Sequence, residues 1–227
     1  MRTGGVMKKE ISRETPDKAR TPEAVLNALN FCYDKALTGI PKTKNCYELA
    51  NEYLKKYPDR QEAAKKFINW QIAKCTTTGF VTGFGGLATM AIAIPADLTT
   101  TWYIQLRMIA VLAIIAGLEP SDDYVRTLAY ITITGSSVAK ALKEAGVQIA
   151  SKAALAAIKK IPGAALISLN KKVGFRLLTK MGSKGVINLG KVVPVAGALV
   201  GAGFDFAETK VISSRAFKTF ILNDFEE

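Results

Sequence analysis

Histidine is absent from this chain of 227 residues, and cysteine is scarce, with only Cys32, Cys46 and Cys75. The absence of histidine removes the commonest general base, the commonest activator of a nucleophile and the commonest zinc ligand. Scattered thiols without a C-x-x-C pair are typical of a reducing compartment, where they pack as inert side chains on helix faces. We therefore expect no metal site, and the composition favours a protein that is not an enzyme.

A nucleotide cofactor is not expected either. Residues 185–191 match the pattern G-x-x-x-x-G-K, but Val192 stands where a P-loop carries the serine or threonine that binds magnesium. No strand is predicted before this segment, and Pro194 follows it where a helix should begin. No other catalytic motif is recognisable, so the sequence predicts no cofactor and no catalytic residue.

The first 20 residues lack the apolar segment of a secretory signal. They carry charges of both signs and almost no side chains to bury, which predicts a disordered basic tail. Helix signals begin at Thr21, and we expect residues 21–227 to form a single helical domain. Hydrophobic residues make up 49% of the chain, which is enough apolar surface for a buried core.

Helix starts and stops recur along the chain from residue 21. Thr21-Pro22-Glu23 combines an N-cap, a proline at the first helical position and an acid in the first turn, and it predicts a helix to about Leu37. Further helices are expected at about 44–57, from Asp59 onward, from Pro95 to Gly117, after Ser121 to about Thr134, over 138–160, over about 164–181, and at the C-terminus around Phe217, Phe220 and Ile221. Strand patterns are scarce, so the sequence predicts an all-α multi-helix bundle.

The central helices of this bundle are expected to be very apolar and faced with glycine. Residues 75–96 carry no charge, and the run is long enough to span about 30 Å of hydrocarbon as a helix. Glycine lets two helix backbones approach closely, either in a bilayer or in a dry protein core. The glycines expected at such contacts are Gly79, Gly83, Gly85, Gly86, Gly197 and Gly201.

Three charged residues border the apolar segments, namely Asp97, Arg107 and Asp205. Asp97 has a structural interpretation, because a carboxylate in the first turn of a helix meets free backbone N–H groups. In the alternative interpretation, the three side chains lie at the mouth of an apolar cavity and contact a ligand. Arg107 would cost about 2.5–3.5 kcal/mol at the centre of a bilayer, which argues against a simple transmembrane helix at 98–118. The bundle is expected either to hide its apolar helices or to insert a hairpin reversibly.

Positive charge is concentrated in residues 140–191, which hold eleven lysines and arginines against one acid, Glu144. These cations alternate with Ala, Leu and Ile at helical spacing, a pattern typical of a basic amphipathic helix on anionic lipid. The side chains expected at this lipid surface are Lys152, Lys159, Lys160, Lys171, Lys172, Arg176, Lys180, Lys184 and Lys191. Nucleic acid is the less favoured partner, because only Phe175 accompanies the cations as an aromatic base-stacking group. A solvated face that only aids solubility is a third interpretation.

Three blocks of the sequence together resemble one known family. They are GFGGLATMAIAIPADLTTTWYIQLRMIAVLAIIAG, YVRTLAYITITG and KKVGFRLLTKMGSKGVINLGKVVPVAGALVGAGFDFAET, and their order and spacing are similar to those of the EcsC family over roughly residues 45–222. The family-like positions are Gly85, Gly86, Pro95, Ala96, Asp97, Leu98, Arg107, Lys184, Gly185, Asn188, Lys191, Pro194, Gly197 and Asp205. The resemblance implies a bacterial protein related to one encoded beside the ATPase and membrane subunits of an ABC transporter. It implies no established biochemical role and no proven catalytic residue.

Together these features favour a membrane-associated accessory or adaptor protein at the cytoplasmic face of the inner membrane, attached peripherally or by an inserted hairpin. Its expected partners are anionic membrane lipid, an ABC transporter or another membrane protein, and a second copy of the chain. One alternative is a lipid- or acyl-chain-binding protein or enzyme with an apolar cavity. The other alternative is a membrane-perturbing effector that inserts residues 75–118 as a hairpin and oligomerises through its glycines.

Overall fold

The computed structural model describes residues 21–41, 43–75, 96–144, 146–147, 154–189 and 207–225. Within these ranges the protein is all-α, without a strand. The predicted fold class is therefore confirmed. The helices are α1 (Pro22–Thr38), α2 (Cys46–Lys56), α3 (Arg60–Cys75), α4 (Ala96–Ile115), α5 (Asp123–Ile133), α6 (Val138–Glu144), α7 (Ala154–Lys159), α8 (Gly163–Leu189) and α9 (207–222), of which Phe217–Leu222 form a π-helix.

Local capping chemistry explains where the N-terminal helices begin and end. Thr21 Oγ1 accepts a hydrogen bond from the backbone N of Ala24 (3.1 Å), and Gly39 ends α1 with a φ of 84°. Asn45 and Glu48 form a reciprocal capping box at the start of α2. The side chain of Asp59 accepts from the backbone N of Glu62 (2.7 Å) before α3. These starts agree with the sequence prediction.

Helix α4 lies at the centre of the bundle and contacts α1, α2, α3, α5 and α9. Tyr103, Leu106, Met108 and Leu112 are fully buried, as expected for a helix that is apolar on all sides. The segment Leu98–Ile115 is the one part of the described chain that is long and apolar enough to cross a membrane, and 78% of it is buried inside the structure. A buried core helix has the same length and composition, so these two properties do not indicate a membrane span.

The predicted single helix over 138–160 is wrong, because the chain turns at Gly146. This glycine has a φ of 78°, which lies in the left-handed region that favours glycine. Its backbone N donates to Lys143 O (3.0 Å), and Val147 N donates to Leu142 O (2.9 Å). These two hydrogen bonds form a Schellman motif that ends α6.

Helix α8 is longer than the predicted 164–181, since it continues to Leu189. A glycine inside a helix costs only about 1 kcal/mol relative to alanine, so Gly182 and Gly185 do not end it. The helical conformation of residues 185–189 also differs from the loop that a P-loop requires. The predicted glycine contacts at Gly79, Gly83, Gly85, Gly86, Gly197 and Gly201, and the tail at 1–20, lie outside the described residues.

Helix α8 packs against α1 and α5 through a stripe of apolar side chains. Leu166, Leu169, Val173 and Leu177 are buried at the helical spacing of three or four residues. Gly174 lies against the first turn of α1, where a Cβ atom would be only 2.6 Å from the backbone oxygen of Pro22. The inner side of α8 is thereby fixed, and the opposite side faces outward.

Candidate functional site

The outer face of α8 combines basic and apolar side chains. It consists of Ile167, Lys171, Lys172, Phe175 and Arg176, which are all exposed. The exposed fraction is 60% for Ile167 and 63% for Phe175, and these are large values for apolar side chains of their size. The same four-residue period that buries the inner stripe therefore brings lysines, an arginine and two apolar groups onto one surface.

A groove of about 880 Å³ lies between α8 and the ends of α5 and α6, and we call it the α8 groove. Apolar side chains from all three helices line it, namely Ile131, Ala141, Leu169, Val173 and Phe175. The basic side chains that line it are Lys171, Lys172, Arg176 and Lys180, and Glu144 is the acid among its lining residues. Because Ile131, Leu169 and Val173 are buried and the lysines and arginine are partly or fully exposed, the groove has an apolar floor and a basic rim.

Glu144 of α6 contacts two of the rim cations. Lys172 Nζ donates to the backbone oxygen of Glu144 (2.6 Å), and Arg176 Nη1 is 4.0 Å from the Glu144 carboxylate. The Arg176 and Glu144 side chains are 45% and 50% exposed, and ion pairs this exposed contribute about 0–1 kcal/mol. An incoming anion therefore competes with a weak internal pair at this end of the groove.

At the other end of the groove, Lys180 connects α8 to α9. Its Nζ lies 2.6 Å from Glu208 Oε1, and the Glu208 side chain is only 18% exposed. This ion pair is more enclosed than the one at Glu144, and it fixes the position of Lys180 in the rim. Lys180 therefore has a structural role in addition to its positive charge.

Two of the other predicted lipid-surface cations are described in the structure, and neither lines the α8 groove. Lys159 and Lys160 are exposed at the end of α7, where Lys159 Nζ lies 5.7 Å from the ring centre of Tyr124. Lys184 belongs to α8, but its side chain lies outside the described residues. Lys152 and Lys191 also lie outside them. The structure thus brings together four of the nine predicted cations, which are Lys171, Lys172, Arg176 and Lys180.

Arg107 lies in the core of the bundle and not in the groove. The residue is 4% exposed, and its Nη2 donates to the backbone oxygen of Lys44 in the connection between α1 and α2. Its Nε has no hydrogen-bond partner among the described residues. Burial lowers the pKa of the guanidinium, and the nearby Tyr103 opposes that shift. These contacts describe a structural tie between α4 and the α1–α2 connection.

The predicted grouping of Arg107 with two carboxylates stays a prediction. Asp97 is the second residue of α4, in the first turn as expected, but its side chain lies outside the described residues. Asp205 lies outside them altogether. Helical periodicity could have identified the exposed Ile167 and Phe175 beforehand, whereas the contribution of Ile131 and Ala141 depends on tertiary packing that no local pattern encodes.

Buried thiols do not supply a nucleophile in the described part of the chain. Cys32 and Cys46 are free and buried, and Cys32 Sγ donates to the backbone oxygen of Thr99 (3.4 Å). Burial raises the pKa of both thiols to about 12, so they are neutral at physiological pH. A neutral thiol is a poor nucleophile, because the thiolate is the reactive form.

Comparison with known proteins identifies the family but no individual relative. No curated protein and no solved structure matches the chain. The model of the EcsC protein family matches residues 3–222, which extends further toward the N-terminus than the resemblance seen over 45–222. Because this match covers nearly the whole chain, the protein belongs to the EcsC family.

Proposed function

We propose that this protein is a membrane-associated accessory protein that binds anionic lipid through the outer face of α8. The observation that carries the proposal is the exposure of Ile167 and Phe175 beside Lys171, Lys172 and Arg176 on one helix face. Cationic helices with apolar side chains among the charges bind at the membrane interface by burying the apolar groups and attracting anionic headgroups. Both kinds of group are present on this face.

The magnitudes favour reversible, salt-sensitive attachment. A lysine or arginine near an anionic leaflet contributes about 1 kcal/mol, and this attraction falls off within a Debye length of about 10 Å at 0.1 M salt. The three cations on the outer face would together supply about 3 kcal/mol. Partial burial of Phe175 and Ile167 in the interface adds to this free energy, since burying a large apolar side chain fully is worth about 1.5–3 kcal/mol.

Burial of α4 supports peripheral attachment over an inserted hairpin. Insertion would require α4 to leave its contacts with α1, α2, α3 and α5 and would take the desolvated Arg107 into hydrocarbon. Attachment through the outer face of α8 needs no such rearrangement. In the proposed arrangement the bundle stays folded on the cytoplasmic surface of the membrane, and the sides of the bundle away from α8 are left for a membrane-protein partner.

Co-sedimentation with vesicles tests the proposal. Wild-type protein is expected to pellet with vesicles of phosphatidylglycerol and phosphatidylcholine but not with phosphatidylcholine alone. The double variant Lys171→Glu, Lys172→Glu reverses two charges on the outer face and is expected to stay in the supernatant. The matched control is Lys65→Glu, Lys66→Glu, which makes the same charge change at two adjacent exposed positions of α3.

The control distinguishes a defined surface from an effect of net charge. If the α3 variant pellets like the wild type while the α8 variant does not, the outer face of α8 is the lipid surface. Equal loss in both variants would show that only the net charge of +12 matters. Unchanged binding of the α8 variant would refute the proposed surface.

A further inference from the structure

We propose that the α8 groove binds a single anionic phospholipid molecule, with the phosphate between Lys172 and Arg176 and one acyl chain along the apolar floor. This proposal rests on the membrane attachment proposed above and gives that attachment a defined ligand site. It differs from surface docking in one respect. Docking needs only the exposed cations and apolar side chains of the outer face, whereas a bound lipid also needs the recess beside them.

The dimensions and lining of the groove fit an amphipathic ligand. Its volume of about 880 Å³ lies within the range of about 300–1,000 Å³ that is usual for small-molecule sites. Ile131, Leu169 and Val173 form a buried apolar floor, which suits an acyl chain. A purely ionic ligand such as inorganic phosphate would leave this floor uncovered.

The charges of the rim are complementary to a phosphate. Arg176 presents a planar guanidinium, which binds phosphate oxygens through paired hydrogen bonds, and Lys172 adds a second donor one turn earlier on the same face of α8. Glu144 contacts both residues, through its carboxylate with Arg176 (4.0 Å) and through its backbone oxygen with Lys172 (2.6 Å). A phosphate bound between the two cations would replace the Glu144 carboxylate as the partner of Arg176, and the exposed pair that is lost is a weak one.

The proposal predicts binding of a lipid that is not part of a bilayer. Dihexanoyl-phosphatidylglycerol below its critical micelle concentration is the probe, and isothermal titration calorimetry is the measurement. Dihexanoyl-phosphatidylcholine carries the same phosphate, but its choline ammonium would be repelled by the two cations, so we expect it to bind at least about tenfold more weakly than dihexanoyl-phosphatidylglycerol. Inorganic phosphate alone is expected to bind more weakly than the lipid, because it makes no contact with the floor.

One variant separates this site from the docking surface. Ala141→Phe places a large side chain in the groove from α6 and leaves every rim cation in place, so it is expected to lose at least about tenfold in affinity for the short-chain lipid. It is expected to keep its sedimentation with anionic vesicles. Ala156→Phe adds the same bulk at an exposed position of α7 that does not line the groove and is the matched control. Circular dichroism of both variants establishes that they are folded.

Each outcome decides between the two proposals. Loss of short-chain lipid binding in Ala141→Phe alone, with vesicle binding retained, supports the groove site. Vesicle binding by a wild-type protein that does not bind the short-chain lipid would overturn the groove site and leave surface docking intact. Inorganic phosphate binding as tightly as the lipid would overturn the acyl-chain contact. Absence of both lipid and vesicle binding would refute both proposals.

Discussion

Replacement of Gly174 by alanine tests the contact that orients α8. A Cβ atom at this position would be 2.6 Å from the backbone oxygen of Pro22, 3.4 Å from its carbonyl carbon and 3.6 Å from its Cα. Real Cβ atoms do not approach an oxygen this closely, so either α8 or the start of α1 must move. The start of α1 is held by the cap at Thr21 and by the fixed φ of proline, which leaves little room for local relief.

The expected change in stability follows from two opposing terms. Inserting a methyl group into a packed contact costs about 1–3 kcal/mol, and the upper part of this range applies because the opposing atoms belong to backbone. The higher helix propensity of alanine offsets this cost by up to about 1 kcal/mol. Gly174→Ala is therefore expected to lower the free energy of unfolding by about 1–2 kcal/mol.

Gly163→Ala is the matched control on the same helix. A Cβ atom at Gly163 would meet no atom within 4 Å, so this change is expected to leave stability unchanged or to raise it by up to about 1 kcal/mol. Urea denaturation followed by far-ultraviolet circular dichroism measures both variants. With a slope of about 2–3 kcal/mol per molar urea, the two midpoints are expected to differ by at least about 0.3 M. Equal stability of the two variants would refute the close contact between α8 and α1.

Two further predictions concern buried groups outside the groove. Arg107→Met removes the hydrogen bond to the Lys44 backbone oxygen but also removes the cost of a desolvated guanidinium, so it is expected to change the free energy of unfolding by less than about 1 kcal/mol. The same variant should leave vesicle binding unchanged, and a loss of binding would place Arg107 in the lipid site. Burial raises the pKa of Cys32 and Cys46 from 9.0 to about 12, so the stability that their neutral form provides is complete below pH 9 and is lost as the pH rises toward 12. In urea denaturation, the free energy of unfolding is expected to fall by about 1 kcal/mol per thiol between pH 9 and pH 10. The fall is expected to be smaller in a Cys32→Ala variant, which has one thiol fewer. An identical dependence on pH in the variant would contradict burial of that thiol.

The elements that the sequence predicts well are those with local signals. Thr21 and Pro22 mark the start of α1 by side-chain capping and a fixed φ, and Gly39 marks its end. Gly117 follows the end of α4 and has a φ of 85°, so it marks the end of that helix as Gly39 does for α1. These signals act over a few residues, so they can be read without knowing what lies across the bundle.

The features that the sequence predicts poorly depend on conformation or on distant contacts. Gly146 was one glycine within an apparently continuous basic helix, and its left-handed φ is a property of the folded chain. Glycines 182 and 185 carried the same signal in α8, yet the helix continues through them. The α8 groove arises where α5 and α6 meet α8, and the residues that line it are separated by up to about 50 positions in sequence, so a local pattern predicts the cations but not the floor beneath them.

Stepwise extraction of the membrane fraction tests the central claim most directly. Cells that express the protein are fractionated, and the membrane pellet is washed with high salt, then with alkaline carbonate, then with detergent. Attachment through the outer face of α8 predicts that the protein is in the membrane pellet and is released by high salt, because the attraction between lysines and anionic lipid is screened. Release by detergent alone would show that apolar segments lie in the bilayer. Full recovery in the soluble fraction would show that the basic face does not hold the protein on the membrane. Either result would contradict attachment through the outer face of α8.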